Sequence, residues 1–151
     1  MEERKLGFDT LAVRAGYTPD SDQRSVAVPV YQTNAYEFES VEYAKELFEL
    51  KQSGNIYSRL SNPTVDVLER RVAALDGGIG ALAMSSGHGA MFSTFLNLAQ
   101  AGDEIVSSIC IYGGAINMMG VTLGNLGIKV RFVNPGNLDE WEAAVTDKTR
   151  A

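Results

Sequence analysis

The chain has 151 residues, enough for one ordinary globular domain, which at that size buries roughly 68–70% of the surface its unfolded chain would expose. Hydrophobic residues make up 45% and charged residues 21%, a composition that excludes both a disordered chain and a membrane protein. Nineteen acidic against thirteen basic side chains give a net charge of −6, which excludes a general nucleic-acid or acidic-membrane surface, so a bound anion must be held by local geometry.

The opening Met1-Glu2-Glu3-Arg4-Lys5 is charged and no apolar run follows it, so no secretory signal is expected and the cytoplasm is the predicted location. No stretch approaches the length of a membrane span. Cys110 is the only cysteine, which rules out an intrachain disulfide. Between Ile109 and Ile111 it is expected to be a buried, inert thiol in a reducing compartment.

Residues 1 to about 39 show little periodicity, with turn formers from Thr18 to Asp22 and a short extended stretch from Val26 to Tyr31. Such a segment reads as an arm laid on another surface. From Ser40, an N-cap residue, Val41, Ala44, Leu47 and Phe48 follow helical spacing up to about Leu50. Asn62 before Pro63 marks a second helix start, because Asn caps free backbone N–H groups and Pro at the first helical position has none to lose. Val65, Leu68, Val72 and Leu75 predict its apolar face and Gly77 its end.

Beyond Gly77 short apolar runs alternate with helical stretches, the pattern of an α/β domain with a largely parallel sheet. Strands are predicted near 80–85, 104–109 and 128–133, and helices near 88–100, 114–125 and 137–145. The polar segment Thr146 to Ala151 has the composition of a turn before another strand. A sheet closed at that point leaves a strand edge uncovered, so the chain reads as cut inside a repeating β/α unit.

Three groups of residues could carry chemistry. Ser86-Gly87-His88 sits between a predicted strand and a predicted helix, where a small-residue turn exposes backbone N–H groups at the positive end of a helix dipole, a site suited to a phosphate. Alone it fits an ordinary βα turn better, since it matches neither of the common glycine-rich nucleotide motifs. In Tyr57-Ser58-Arg59 the guanidinium offers a bidentate fork for phosphate or carboxylate, with the Tyr57 hydroxyl on the same side of an extended chain. Read in isolation, this is a solvated surface pair. Tyr112-Gly113-Gly114 follows a predicted strand at its C-terminal end, where ligands of open α/β sheets gather and where glycines let an aromatic ring stand over a planar heterocycle. A core tyrosine beside a turn is the plainer alternative.

Taken in this order and spacing, the residues resemble the cysteine/methionine metabolism family of pyridoxal-phosphate enzymes. The similar text runs through Val28-Pro29-Val30-Tyr31-Gln32-Thr33, Gly54-Asn55-Ile56-Tyr57-Ser58-Arg59, Asn62-Pro63-Thr64, Leu68-Glu69, Ser86-Gly87 and Tyr112-Gly113-Gly114. The string Tyr-x-Arg-x-x-Asn-Pro-Thr is its most specific part. The resemblance implies the N-terminal part of a fold-type I (aspartate aminotransferase-like) α/β domain, truncated and preceded by an extended N-terminal arm. Residues 1–59 would form the arm and helix that serve a neighbouring subunit, and residues 60–151 the first part of the cofactor domain.

By the same resemblance Ser86, Gly87 and His88 would hold the cofactor phosphate of their own subunit, and Tyr57 and Arg59 would reach the phosphate of the neighbouring one. Tyr112 would stack on the pyridine ring and assist departure of the group at the substrate's γ carbon. Two positions depart from family text. His88, the only histidine, stands where many relatives have Met or Gln, and Ala115 stands where Thr usually follows, which implies looser hydrogen bonding near the ring. The lysine that forms the Schiff base and the acid that keeps the pyridine nitrogen protonated are expected downstream, because none of Lys5, Lys45, Lys51, Lys129 and Lys148 has the family's context.

Among subfamilies, the opening Phe8 to Val13 and the stretch Gly54 to Tyr57 look most like the O-acetylhomoserine sulfhydrylases. That implies an amino-acid substrate, replacement of acetate by sulfide to give homocysteine, no metal, and a homo-oligomer, a dimer forming the active site within a tetramer. Methionine γ-lyase and the cystathionine synthases and lyases are the alternatives within the family. From other classes come a stand-alone phosphate- or nucleotide-binding domain built on Ser86-Gly87-His88, and a non-catalytic partner that docks on a complete relative. The 151-residue chain by itself is expected to be inactive.

Overall fold

The computed structural model describes residues 6–151. The chain divides into two compact units, one ending at Ala83 and the other beginning at Met84.

The first unit opens with helix α1, Phe8–Arg14, a correction to the aperiodic arm expected there. Seven residues with none buried give no apolar stripe for a sequence to display. The helix packs on α3, and Arg71 Nε donates to the Ala15 carbonyl 2.8 Å away, satisfying one of the oxygens left open at its end. Gly16 follows with φ +79°.

Helix α2, Val41–Phe48, starts as the sequence predicts, with Ser40 Oγ accepting the Tyr43 N–H at 3.0 Å and Leu47 buried. Helix α3, Pro63–Asp76, is likewise capped by Asn62, whose side chain accepts the Thr64 N–H at 2.9 Å. It ends at Gly77 in the left-handed conformation (φ +68°). Its buried face differs from the predicted one: Val67 and Ala73 are covered, while Val65, Leu68 and Val72 are exposed. The turn at Gly16 approaches α3 at Val67 and Arg70, so docking contributes to the covering of Val67.

Residues 80–85 do not form the expected strand. No backbone ladder reaches them among the described residues; the Ala83 N–H is taken by the Glu69 carboxylate at 2.7 Å, and Leu82 stays exposed. An apolar run becomes a strand only where another backbone pairs with it.

The second unit holds α4 (Gly87–Leu98), β1 (Glu104–Ser108), α5 (Gly113–Asn117), a π-helical segment (Met118–Leu123), β2 (Lys129–Val133) and α6 (Leu138–Ala144). Strands β1 and β2 are parallel, in register from Glu104 opposite Lys129 to Ser108 opposite Val133, and the helical stretch between them is the crossover. Near the chain end Thr149 forms an isolated parallel bridge with Glu104. Glu104 N–H donates to Lys148 O, Arg150 N–H to Glu104 O, and Val106 N–H to Ala151 O, each at 2.9 Å, on the β1 edge opposite β2. The core gathers Ala99, Ile105, Met118, Met119, Leu123 and Ile128, with Phe92, Phe95 and Phe132 packed against it.

Cys110 is exposed, against the expectation of a buried thiol. It lies past the end of β1 in a bend where the Ser108 hydroxyl oxygen accepts its N–H; Ile109 is exposed with it, while Ile111 packs against the core.

The end of β1 that meets the chain terminus carries a buried acid. Glu104 is 8% exposed and accepts both Arg131 Nε (2.8 Å) and Nη2 (3.1 Å), together with the Thr146 hydroxyl at 3.0 Å. The Arg131 guanidinium, helped by Thr146 and by the ammonium of Lys129, outweighs burial and holds the carboxyl at about 2 instead of the usual 4.5. A depressed carboxylate stabilises the fold fully above its unfolded value and loses that contribution as protons bind the folded form. Acid unfolding of this unit is therefore expected to set in as pH falls from about 4.5 towards 2, and Glu104→Gln should flatten that dependence. Denaturant midpoints for both proteins across this range would show it, and parallel pH profiles would contradict it.

Candidate functional site

The N-terminus of α4 is built to present backbone N–H groups. Ser86 is its N-cap and uses its hydroxyl oxygen to accept the Gly89 N–H at 3.0 Å, while Ser86 O accepts the Ala90 N–H at 2.9 Å. The N–H groups of Gly87 and His88 are left with no acceptor among the described residues. Nothing lies within 4 Å of where a Cβ on Gly87 would stand, so the space beside this residue is open at the positive end of a twelve-residue helix.

Tyr112 comes to the same place from the other side of the sheet connection. It is the residue before α5, four positions beyond β1, and its ring is 74% exposed. Its ring centroid lies 5.6 Å from that of His88, the two planes crossing at 76° in an edge-to-face contact. Gly114 is what permits this pairing: a Cβ there would stand 2.8 Å from Tyr112 Cε1 and 3.0 Å from the His88 ring. Ala115 is buried, and its N–H and that of Ile116 both donate to the Tyr112 carbonyl, at 2.8 and 3.2 Å.

Ser86, Gly87, His88 and Tyr112 are brought together in the second unit. Tyr57 and Arg59 belong to the first, where the Arg59 Cζ lies 5.9 Å from the centroid of the Tyr57 ring and both side chains are exposed. Tyr57 bridges antiparallel to Ala35, and Ser58 N–H donates to Asn34 O at 2.8 Å. Between the two exposed side chains Ser58 turns inward, a contribution the sequence reading passed over. The extended chain expected across Tyr57-Ser58-Arg59 is instead a turn from Ser58 to Leu60, closed by the Tyr57 carbonyl accepting the Leu60 and Ser61 N–H groups at 2.8 and 3.0 Å.

Three of the lysines are engaged elsewhere. Lys45 and Lys51 pair with Glu49 and Lys129 with Glu104, while Lys5 lies outside the described residues. No helix among the described residues is long and apolar enough to cross a membrane.

The model of the family described as Cys/Met metabolism PLP-dependent enzyme matches residues 9–151. The chain belongs to this family. Its Cys/Met metabolism relatives include sulfhydrylase FUB7 of Fusarium oxysporum, 54% identical over 144 residues that make up 95% of this chain and 33% of that protein. O-acetyl-L-homoserine sulfhydrylase 1 of Thermus thermophilus is also 54% identical, over 97% of this chain and 35% of its own length. A solved Campylobacter jejuni structure, assigned as an O-acetylhomoserine (thiol)-lyase and containing N'-pyridoxyl-lysine-5'-monophosphate, superposes with a TM-score of 0.91 at 42% identity. That match covers 96% of this chain and 36% of the other.

The chain spans about a third of the length of the curated relatives it matches and has the fold of their N-terminal portion. The family's cofactor is pyridoxal phosphate. The amides of Gly87 and His88, without an acceptor among the described residues, fit its phosphate group.

Proposed function

We propose that the full-length protein is a pyridoxal-phosphate-dependent O-acetylhomoserine sulfhydrylase. The observation that carries the reading is the pair of unpartnered amides at Gly87 and His88 beside an exposed Tyr112 ring, in a chain 54% identical to a sulfhydrylase of that name. Bound there, the cofactor supplies an electron sink for the substrate's α carbon.

The protein's own residues bind and orient. The amides of Gly87 and His88, with Ser86 capping the turn, hold the phosphate by its charge. Tyr112 covers one face of the ring, excludes water there, and carries a hydroxyl able to hold a proton at the oxygen of the departing acetate. The segment up to Arg59 reaches a neighbouring subunit, so that Tyr57 and Arg59 meet that subunit's phosphate with a hydroxyl and a planar fork. The active site is then a property of a dimer within a homotetramer. The lysine and acidic partner of the cofactor lie in the rest of the protein, and residues 1–151 alone do not turn over substrate. In the net reaction the bond from the γ carbon to the acetate oxygen breaks, a bond from that carbon to sulfide sulfur forms, and acetate and homocysteine leave.

The full-length protein given O-acetylhomoserine and sulfide is expected to release homocysteine and acetate in equal amounts. Turnover of another γ-substituted amino acid without homocysteine would move the protein to a different branch of the family. Arg59→Ala removes a charge-assisted contact of the kind worth about 1.5–3 kcal/mol, so pyridoxal phosphate should bind about 10- to 100-fold more weakly.

A further inference from the structure

Asn62 is the one buried side-chain amide of the first unit that joins three separate pieces of chain, and all of its hydrogen-bonding groups are engaged. Its Oδ1 accepts the Thr64 N–H and so caps α3. Its Nδ2 donates to the Tyr31 carbonyl and to Ser58 Oγ, both at 3.0 Å. Ser58 Oγ in turn donates to the Thr33 carbonyl, and the Tyr36 hydroxyl stands 3.3 Å away. Thr64 closes the clasp, donating its hydroxyl to Pro29 O and accepting the Tyr31 N–H, each at 2.9 Å.

A helix cap needs only an oxygen acceptor, which Ser, Thr or Asp provides as well as Asn. The two Nδ2 bonds are therefore surplus to capping. One of them holds the Tyr31 carbonyl and the other grips Ser58, the residue lying between Tyr57 and Arg59. Ser58 begins a turn in which the Tyr57 carbonyl accepts the Leu60 and Ser61 N–H groups at 2.8 and 3.0 Å, so pinning Ser58 fixes the backbone that carries the exposed Tyr57 and Arg59 side chains on either side of it. An exposed guanidinium on a free loop would have to be ordered each time it met a phosphate, and one on a pinned backbone is ordered beforehand.

We propose that Asn62 and Ser58 are positioning residues for the phosphate-binding pair Tyr57 and Arg59, acting through the clasp and never touching the ligand. The inference rests on the reading given under Proposed function. It separates into cap and clasp by substitution: Asn62→Asp keeps the capping oxygen and loses both Nδ2 donors, and Ser58→Ala removes the gripped hydroxyl while leaving the cap alone.

The test is cofactor binding to full-length apoprotein, measured by equilibrium titration with pyridoxal phosphate and, separately, with pyridoxal, which lacks the phosphate. Asn62→Asp and Ser58→Ala are each expected to weaken pyridoxal phosphate about tenfold and to leave pyridoxal unchanged, with Arg59→Ala behaving the same way more strongly. Equal weakening of both ligands would reduce the clasp to a folding role and overturn the proposal. Full affinity in Ser58→Ala, with Arg59→Ala impaired, would overturn it while leaving the proposed function standing. Full affinity in Arg59→Ala would remove the phosphate role of this loop, and the clasp's purpose with it. Should Asn62→Asp fail to fold, Ser58→Ala alone decides between these outcomes.

Discussion

Gly16→Ala is expected to destabilise the first unit by roughly 2–4 kcal/mol, from left-handed backbone strain of about 1 kcal/mol plus overpacking of about 1–3. Gly16 has φ +79°, and an added Cβ would stand 2.6 Å from the Val67 carbonyl oxygen, 2.9 Å from Arg70 Cβ and 3.0 Å from the Arg71 nitrogen. Two of these are main-chain atoms of α3, held in its hydrogen-bonded ladder, so no rotamer change relieves the contact. Gly77 separates the two causes: it shares the positive φ, at +68°, yet nothing lies within 4 Å of its Cβ position. Gly77→Ala should therefore cost only the strain. Denaturant unfolding of the full-length protein would compare them, and equal losses would mean that the turn does not press on α3 as described.

Leu123→Ala is expected to cost about 2–5 kcal/mol, the range for truncating a fully buried leucine with incomplete collapse around the cavity. Leu123 is wholly inaccessible and sits with Ile105 and Ile128, themselves 1% exposed, where the crossover helix meets the sheet. Val121, two residues earlier and 52% exposed, is its control, since truncation there removes little buried surface. The same helical stretch begins at Gly113, directly after Tyr112, so loosening its inner face is also expected to broaden the orientation of the Tyr112 ring. A Leu123→Ala protein no less stable than Val121→Ala would show that this face is not the core.

What could be read from the residues was whatever depends on neighbours a few positions away. Asn62-Pro63 and Ser86 declared their helices because a cap is a local bond, and Gly77 declared an end because only glycine takes that conformation without strain. The three amide, aromatic and guanidinium groups were visible for the same reason, each being a short string, and the family match bears out the resemblance drawn from them. Apart from Cys110, whose bend is local, the main misses required distant partners. Residues 80–85 have strand composition and no ladder, and α1 has a ladder and no buried residue. Val67 of α3 meets a turn just over fifty positions upstream in sequence. Ser58 looked like filler between two chemical groups because its partners are Thr33 and Asn62, one of them far away along the chain.

The π-helical segment has one more consequence. Its buried residues Met118, Met119 and Leu123 follow an i, i+1, i+5 spacing that suits a wider turn than the ordinary helix around it. A wide turn is an extra amino acid absorbed without breaking the rod. Losing one amino acid between 118 and 123 would tighten the turn and leave Gly113 at one end and Lys129 at the other facing as they do now. Losing one from the middle of α3 would swing every later side chain of that helix by about 100°. Length is thus negotiable in the crossover and fixed in α3.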